Sequence, residues 1–193
     1  MRIEEAKDDS PWVRHAIEAA TLIIAIAIGL TIGFGIFSSA IVVSGSMEPT
    51  LSVDDKVLLD HRNSLHGHWR RGDIVLFEAQ GKWMEEDSDD LIKRIIGLPG
   101  ETVAVTPEGV TINGKKLNEP YIKTDAQREA DPDDTKSWTL GAGEYFVMGD
   151  NRSNSEDSRL KGPVADSAIH GRVALRIGPL SAFGKIAKPV YDF

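Results

Sequence analysis

The feature that most constrains this chain is a stretch of 25 residues without a charged side chain, from Ala19 to Val43. About 20 apolar residues suffice for an α-helix to cross a bilayer. A buried helix of this length in a soluble protein would carry a polar stripe, and the apolar core of a cleaved signal peptide is shorter. The sequence therefore predicts a transmembrane anchor over residues 16–36, and the β-branched residues that follow predict an emerging strand.

The charges beside this segment bear on its orientation. Three basic residues precede it, and two lie in the first twenty residues after it: Arg2, Lys7 and Arg14, then Lys56 and Arg62. Lysine and arginine are in excess on the cytoplasmic side of membrane proteins. We therefore expect residues 1–15 to form a cytoplasmic tail, residues 37–193 to lie on the extracytoplasmic side, and the lipid bilayer to be a partner.

The remainder of the chain reads as β-structure, because short apolar runs alternate with turn residues. The predicted strands are residues 56–59, 73–77, 82–84, 144–148 and 172–177, together with a hairpin over 110–117 in which Asn113-Gly114 fits a type I′ turn. No amphipathic helix of 10–15 residues separates these runs, which argues against a parallel α/β sheet. The predicted fold class is mostly β: an antiparallel, β-barrel-like domain over residues 37–193, tethered by one N-terminal transmembrane helix.

Composition removes several function classes. The chain carries 22 Lys and Arg against 30 Asp and Glu, a net charge of -8, so the basic footprint of a nucleic-acid partner is missing. There is no cysteine, which excludes disulfides, thiolate nucleophiles and cysteine-bound zinc. Two acidic stretches, residues 85–90 and 129–134, are predicted to be solvated loops. Any chemistry must come from Ser, His, Lys or carboxylate side chains.

Three histidines cluster within eight residues, at His61, His66 and His68. Such a cluster invites a metal site, since imidazole is a common metal ligand. The surrounding segment has the composition of a polar surface loop and lacks a further ligand pattern. We therefore expect no metal here, and a Ser-His-Asp triad loses its natural base.

A compact turn and an apolar strand carry the stronger candidates. In the turn over residues 44–50, Gly45 permits unusual backbone angles and Pro49 fixes them, so a serine oxygen and backbone N–H groups can be exposed together. Lys93 lies within the apolar run of residues 92–96 and must bury part of its side chain. Burial lowers the pKa of a lysine and so favours its neutral, basic form.

These segments, together with residues 71–75 and 149–159, closely resemble the sequence boxes of bacterial type I signal peptidases, which are membrane-bound serine proteases with a Ser-Lys dyad. The resemblance extends from the anchor to Leu180. It implies that Ser46 is the nucleophile, Lys93 the general base, and Ser44 a hydroxyl donor that joins the Ser46 backbone N–H in the oxyanion hole. It implies that Ser155 orients the lysine, and that four residues brace the site: Asp150, Arg152, Asp157 and Arg159. Val43 stands where many members have proline, and Lys93 stands where the branch found in the endoplasmic reticulum has histidine.

The resemblance implies a signal peptidase of the cytoplasmic membrane, with its catalytic domain on the outer face. Its substrates would be the signal peptides of exported preproteins, with small side chains preferred at positions -1 and -3, and it would need no cofactor. Proximity to the secretion translocase is compatible with such a role. Two alternatives stay open: a Ser-Lys autoprotease of the repressor-cleaving kind, and an anchored β module without activity. The membrane segment and the lack of an Ala-Gly self-cleavage bond in a linker argue against the autoprotease.

Overall fold

The computed structural model describes residues 11–65, 67–83, 90–122 and 135–191. The chain divides into two compact units, residues 1–37 and 38–193. In the first unit, helix α1 covers Pro11–Ile36 and thus includes the predicted anchor. Among the described residues, no helix meets the combined requirements of length and apolarity for crossing a membrane.

The second unit consists of two antiparallel sheets. A seven-stranded sheet has the order β1-β2-β11-β3-β4-β9-β10, and a four-stranded sheet has the order β7-β6-β5-β8. The strands are β1 (Phe37–Ile41), β2 (Lys56–Asp60), β3 (Ile74–Glu78), β4 (Asp90–Gly97), β5 (Thr102–Thr106), β6 (Gly109–Ile112), β7 (Lys115–Lys116), β8 (Lys136–Thr139), β9 (Glu144–Met148), β10 (Val164–Ala165) and β11 (Ile169–Gly178). A short helix, α2 (Ser158–Lys161), precedes β10.

The mostly antiparallel β class is confirmed, but the expected barrel-like closure is not found among the described strands. The larger sheet ends on two edge strands, β1 and β10, which pair with β2 and β9 and not with each other. A twisted sheet can curl without closing. The correct description of the described strands is therefore two open sheets.

Most of the predicted strands are present. The Asn113-Gly114 turn has the two positive φ angles, 50° and 80°, that a type I′ hairpin requires. The strand predicted over 82–84 is wrong, because Gly81–Trp83 forms a 3₁₀ turn and Met84 lies outside the described residues. Trp83 packs edge-on against Phe77, with ring centroids 5.0 Å apart. This side chain is therefore part of the hydrophobic core, although its backbone is in a turn and not in a strand.

Strand β4 runs between two parts of the hydrophobic core. Ile95 packs into a cluster with Phe77 and Val147, and its neighbour Ile96 packs into a second cluster with Val103 and Phe146. Successive side chains of a strand point to opposite faces, so β4 is covered on both sides. This double burial fixes the position of the polar residues that precede the isoleucines, Lys93 and Arg94.

Candidate active site

The predicted nucleophile lies on a short 3₁₀ turn, Gly45–Met47, that follows β1. Ser46 and Met47 are buried, and Met47 packs in a core cluster with Leu51 and Val57. Asn151 also holds the turn: its backbone N–H donates to the Ser46 carbonyl at 3.0 Å, and its side-chain amide donates to the Gly45 carbonyl at 3.0 Å. The backbone of Ser46 is therefore held from both the core and the segment that follows β9.

The predicted base meets this turn directly. Lys93 Nζ donates a hydrogen bond to Ser46 Oγ at 2.9 Å, and the two side chains are 47 positions apart in the sequence. Lys93 is only 4% exposed and Ser46 8% exposed. The register of β4 on β3, in which Lys93 lies opposite Val75, sets the position of the lysine along the strand. The structure thus brings the two residues of the predicted dyad together.

A cleft of about 720 Å³ opens beside these two groups. Its walls are residues 38–47, the start of β4 and residues 153–156. Ser44 is exposed at this cleft, and its Oγ lies 3.2 Å from Ser46 Oγ. The hydroxyl predicted to bind an oxyanion is therefore next to the oxygen that would attack.

Ser155 lines the same cleft, but its hydroxyl is not bonded to the lysine. Ser155 Oγ is buried and has no hydrogen-bond partner among the described residues. It sits against Gly149, where an added Cβ would lie 2.3 Å from Ser155 Oγ and 2.5 Å from the Ser46 carbonyl oxygen. Gly149 therefore allows the nucleophile turn and Ser155 to approach each other, a role that we did not predict from the sequence.

Asp157 and Arg159 form one bracing pair. The Arg159 guanidinium donates to both oxygens of Asp157, at 2.7 and 2.8 Å, and also to the carbonyls of Arg152 and Ser155. Asp157 also accepts from the backbone N–H of Gly149 at 3.0 Å and caps the N-terminus of α2. The pair closes the loop between β9 and α2 on itself.

Asp150 pairs with Arg94, a residue that we did not single out from the sequence. Arg94 Nε and Nη2 donate to the two carboxylate oxygens of Asp150 at 2.8 and 2.6 Å, and Thr50 Oγ1 adds a third bond at 2.5 Å. Burial lowers the pKa of Arg94, but the hydrogen bonds and the charge of Asp150 outweigh burial, so the pKa is raised and the guanidinium stays charged. The signal for Arg94 was a second cation within an apolar strand.

Arg152 pairs with Glu119, which gave no signal in the sequence. Two hydrogen bonds of 2.9 and 2.5 Å join them, and Arg152 Nε donates to the Gly149 carbonyl at 3.0 Å. Tyr121 Oη donates to Glu119 at 2.8 Å, and the Tyr121 ring lies 4.0 Å beneath the Arg94 guanidinium. Burial, followed by the charge of Glu119, raises the pKa of Tyr121 far above its usual value, so the phenol keeps its proton.

Two of the three clustered histidines, His61 and His68, lie in the described part of the chain. His61 Nε2 lies 2.7 Å from Ser38 Oγ, and His61 Nδ1 lies 2.7 Å from the His170 carbonyl. His68 is exposed, and His66 lies outside the described residues. Among the described residues, no three histidine or carboxylate side chains are grouped so that they could hold a metal ion.

The chain is similar in sequence to known proteins. The model of the family "Signal peptidase, peptidase S26" matches residues 13–177. A signal peptidase I of Leptolyngbya laminosa is 34% identical over 96% of this chain and 89% of its own length. Signal peptidase I S of Bacillus subtilis strain 168 is 37% identical over 73% of this chain and 76% of its own length.

A crystal structure of a signal peptidase I from Enterococcus faecalis V583 matches with 32% identity and a TM-score of 0.45, covering 55% of this chain and 97% of that chain. The family match spans well over half of the sequence and includes the turn of Ser46, strand β4 and the loop of residues 149–159. The chain therefore belongs to the signal peptidases of peptidase family S26, and it is a serine peptidase of the signal peptidase I class.

Proposed function

We propose that this peptidase releases signal peptides from exported preproteins by attack of Ser46 Oγ, with Lys93 as the general base. The observation that carries the proposal is the 2.9 Å contact between Lys93 Nζ and Ser46 Oγ, made in a buried position at the wall of an open cleft. A serine is a weak nucleophile unless an adjacent base takes its proton. Lys93 is placed to take this proton, and the pair needs no carboxylate as a third member.

The reaction follows the chemistry of other activated serines. The neutral amine of Lys93 accepts the Ser46 proton as Oγ forms a bond to the scissile carbonyl carbon, and the resulting ammonium then protonates the leaving amine as the C–N bond breaks. A water molecule, deprotonated by the same amine, hydrolyses the acyl-enzyme and restores Ser46. Burial of Lys93 favours the neutral amine that both steps need.

The oxyanion would be bound by Ser44 Oγ and the Ser46 backbone N–H. Ser44 Oγ is 3.2 Å from Ser46 Oγ. When Ser46 Oγ attacks the scissile carbonyl carbon, the oxygen on that carbon would be within reach of the Ser44 hydroxyl. Removing a single oxyanion donor costs on the order of 10²–10³ in kcat. We therefore expect Ser44→Ala to lower kcat by about this factor and to leave KM nearly unchanged.

Small substrate side chains at positions -1 and -3 are expected beside Ser46. The cleft is walled by β1, which is an edge strand of the larger sheet. An edge strand can receive an extended peptide, with alternate side chains pointing into the wall. Met47, Ile92 and Leu76 contribute bulky groups there, which favours short substrate side chains.

Anchoring by α1 in the cytoplasmic membrane, with the β unit on the extracytoplasmic face, completes the proposal. Its support is the charge-free sequence of residues 19–43 and the exposure of large apolar side chains on α1, at Leu22, Ile23, Ile24 and Ile26. A preprotein reaches the enzyme with its own apolar segment in the bilayer, so shared localisation raises its effective concentration. The secretion translocase would be a neighbour for the same reason.

The deciding experiment compares the purified chain with Ser46→Ala and Lys93→Met on a preprotein and on a short signal-peptide substrate. Both variants are expected to lose cleavage of both substrates while keeping the β unit folded. Preprotein processing by Ser46→Ala above a trace rate would contradict the assignment. Deleting residues 1–36 tests the anchor separately: peptide cleavage should persist, and cleavage of membrane-embedded preprotein should fall.

A further inference from the structure

The segment of residues 185–191, called the tail in this subsection, has no regular secondary structure, yet it packs along the β unit. It lies beyond residue 177, where the family match ends. Ile186 packs against the core cluster beneath the Ser46 turn, and Tyr191 packs against the cluster that contains Ile96 and Phe146. Val190 between them is 77% exposed. The segment therefore joins two parts of the core.

The same segment contacts the turn that precedes β3. A Cβ added at Gly72 would lie 3.1 Å from both Pro189 and Tyr191, so the tail rests directly on the glycine backbone. Lys188 Nζ donates to the buried Asp73 at 2.7 Å. Gly72, with a φ of 85°, occupies a conformation that a side chain would strain. The tail thus covers the one position of this turn that must remain without a side chain.

This turn is bonded to β4 immediately after the base. The Gly72 carbonyl accepts from Arg94 Nη1 at 2.9 Å, the Gly72 N–H donates to Ile95, and the Ile95 N–H donates to Asp73. Lys93 precedes this set of bonds by one residue. A displacement of the turn would therefore be transmitted to the backbone that carries the amine.

Tyr191 reaches the other half of the site. Its hydroxyl donates to Tyr121 Oη at 3.3 Å, and Tyr121 donates to Glu119, the partner of Arg152. Arg152 in turn holds the Gly149 carbonyl, close to the Ser46 turn. One side chain of the tail therefore contacts a network that braces the nucleophile as well as the strand of the base.

From these contacts we infer that residues 185–191 position the Ser46–Lys93 dyad, with Tyr191 and Lys188 as positioning residues. The inference rests on the proposed function of the dyad. Misplacement of a reacting group by about 1 Å can cost on the order of a hundredfold in rate. Loss of the tail contacts should therefore lower kcat, while the substrate cleft, which the tail does not line, keeps its affinity.

The test measures kcat and KM of the full chain on a short signal-peptide substrate at a temperature where circular dichroism shows every variant to be folded. Tyr191→Ala is expected to lower kcat by about ten- to a hundredfold with KM within twofold. Tyr191→Phe, which keeps the ring and loses the hydroxyl, should lower kcat only a few-fold. Val190→Ala is the matched control on the same segment and should leave both constants unchanged.

Lys188 supplies an independent arm of the experiment. Lys188→Met should lower kcat. Lys188→Arg, which keeps the charge near Asp73, should have the kcat of the unmodified chain. A second arm removes residues 185–193 and adds them back as a synthetic peptide, which is expected to recover kcat in a saturable manner.

The possible outcomes separate the two proposals. If the unmodified chain fails to cleave, the proposed function is wrong. If the unmodified chain cleaves and the folded Tyr191→Ala variant keeps its kcat, the positioning role is wrong. The same holds if this variant shows only a raised KM or a lowered melting temperature, because the tail would then be merely structural.

Discussion

Arg94 and Asp150 form a two-point ion pair in which the side chains are 1% and 0% exposed. One partner follows the proposed base in β4, and the other lies one residue after Gly149. The pair therefore joins the strand of the base to the loop that fastens the nucleophile turn. Removing one member of a buried pair leaves the other charge without compensation.

Asp150→Ala is expected to destabilise the fold by about 3–5 kcal/mol and to abolish cleavage. The free energy of unfolding in urea checks the first part, and peptide hydrolysis checks the second. Replacing both partners together, as Arg94→Met with Asp150→Leu, should be less destabilising than Asp150→Ala alone, because no buried charge is left. A double variant as unstable as the sum of the single variants would contradict this account.

Gly149→Ala should reduce kcat by about a hundredfold, because the new methyl group would lie 2.3 Å from Ser155 Oγ and 2.5 Å from the Ser46 carbonyl oxygen. The chain must move one of these groups to make room. Steady-state kinetics on a peptide substrate measures the effect. Gly141→Ala is the matched control, since its nearest contact is the side chain of Glu144, and it should behave like the unmodified chain.

Ser155→Ala separates catalysis from stability. The Ser155 hydroxyl is buried without a partner among the described residues, so removing it should leave the free energy of unfolding unchanged or raise it by about 1 kcal/mol. We nevertheless expect kcat to fall strongly, because the family resemblance implies that this hydroxyl orients the amine of Lys93. Ser137→Ala, at an exposed serine of β8 outside the cleft, is the control. Full activity of Ser155→Ala would remove Ser155 from the mechanism.

The rate of cleavage should rise toward alkaline pH, because only the neutral amine of Lys93 can accept the Ser46 proton. We expect the acidic limb of the kcat profile to lie above about pH 6.5, the value that a histidine base would give. Lys93→Arg should be inactive, since a guanidinium stays protonated. A limb near 6.5 that disappears on changing His61, His66 or His68 would make a histidine the base.

Acid stability should depend on Asp60. Hydrogen bonds from Arg62, and then from Arg172, hold the pKa of the Asp60 carboxyl well below its usual range. The stabilisation is therefore fully present above about pH 4, the range of an unfolded aspartate, and is lost as the pH falls toward the folded value. Asp60→Asn should lower the free energy of unfolding at pH 7 and flatten its decline below pH 4. The exposed Asp54→Asn should do neither.

Local patterns in the sequence were sufficient for much of the fold. Asn113-Gly114 predicts its own turn, because two consecutive residues with positive φ suit few other side chains. Trp83 was misassigned to a strand because its core contact with Phe77 comes from a turn. The open edges of the larger sheet are set by long-range pairing, which alternation within a strand does not reveal.

The proposed site was predictable where resemblance supplied the pairing. Ser46 and Lys93 stand 47 positions apart, and only the family pattern linked them before the structure placed their atoms 2.9 Å apart. Glu119 and Tyr191 gave no such signal, since an isolated glutamate and a tyrosine near the end of the chain are ordinary surface residues. Their roles arise only when folding brings Arg152 and Tyr121 beside them.

Lys93 and Arg94 occupy consecutive positions of β4 yet have separate partners, Ser46 and Asp150. A strand pairing error of one residue would exchange the two faces. The guanidinium, which does not give up its proton, would then point at the serine, and the amine would face the buried carboxylate. A correctly aligned β3–β4 ladder is thus a condition for placing the proposed base beside Ser46, so we expect a misaligned chain to be inactive even if it were compact.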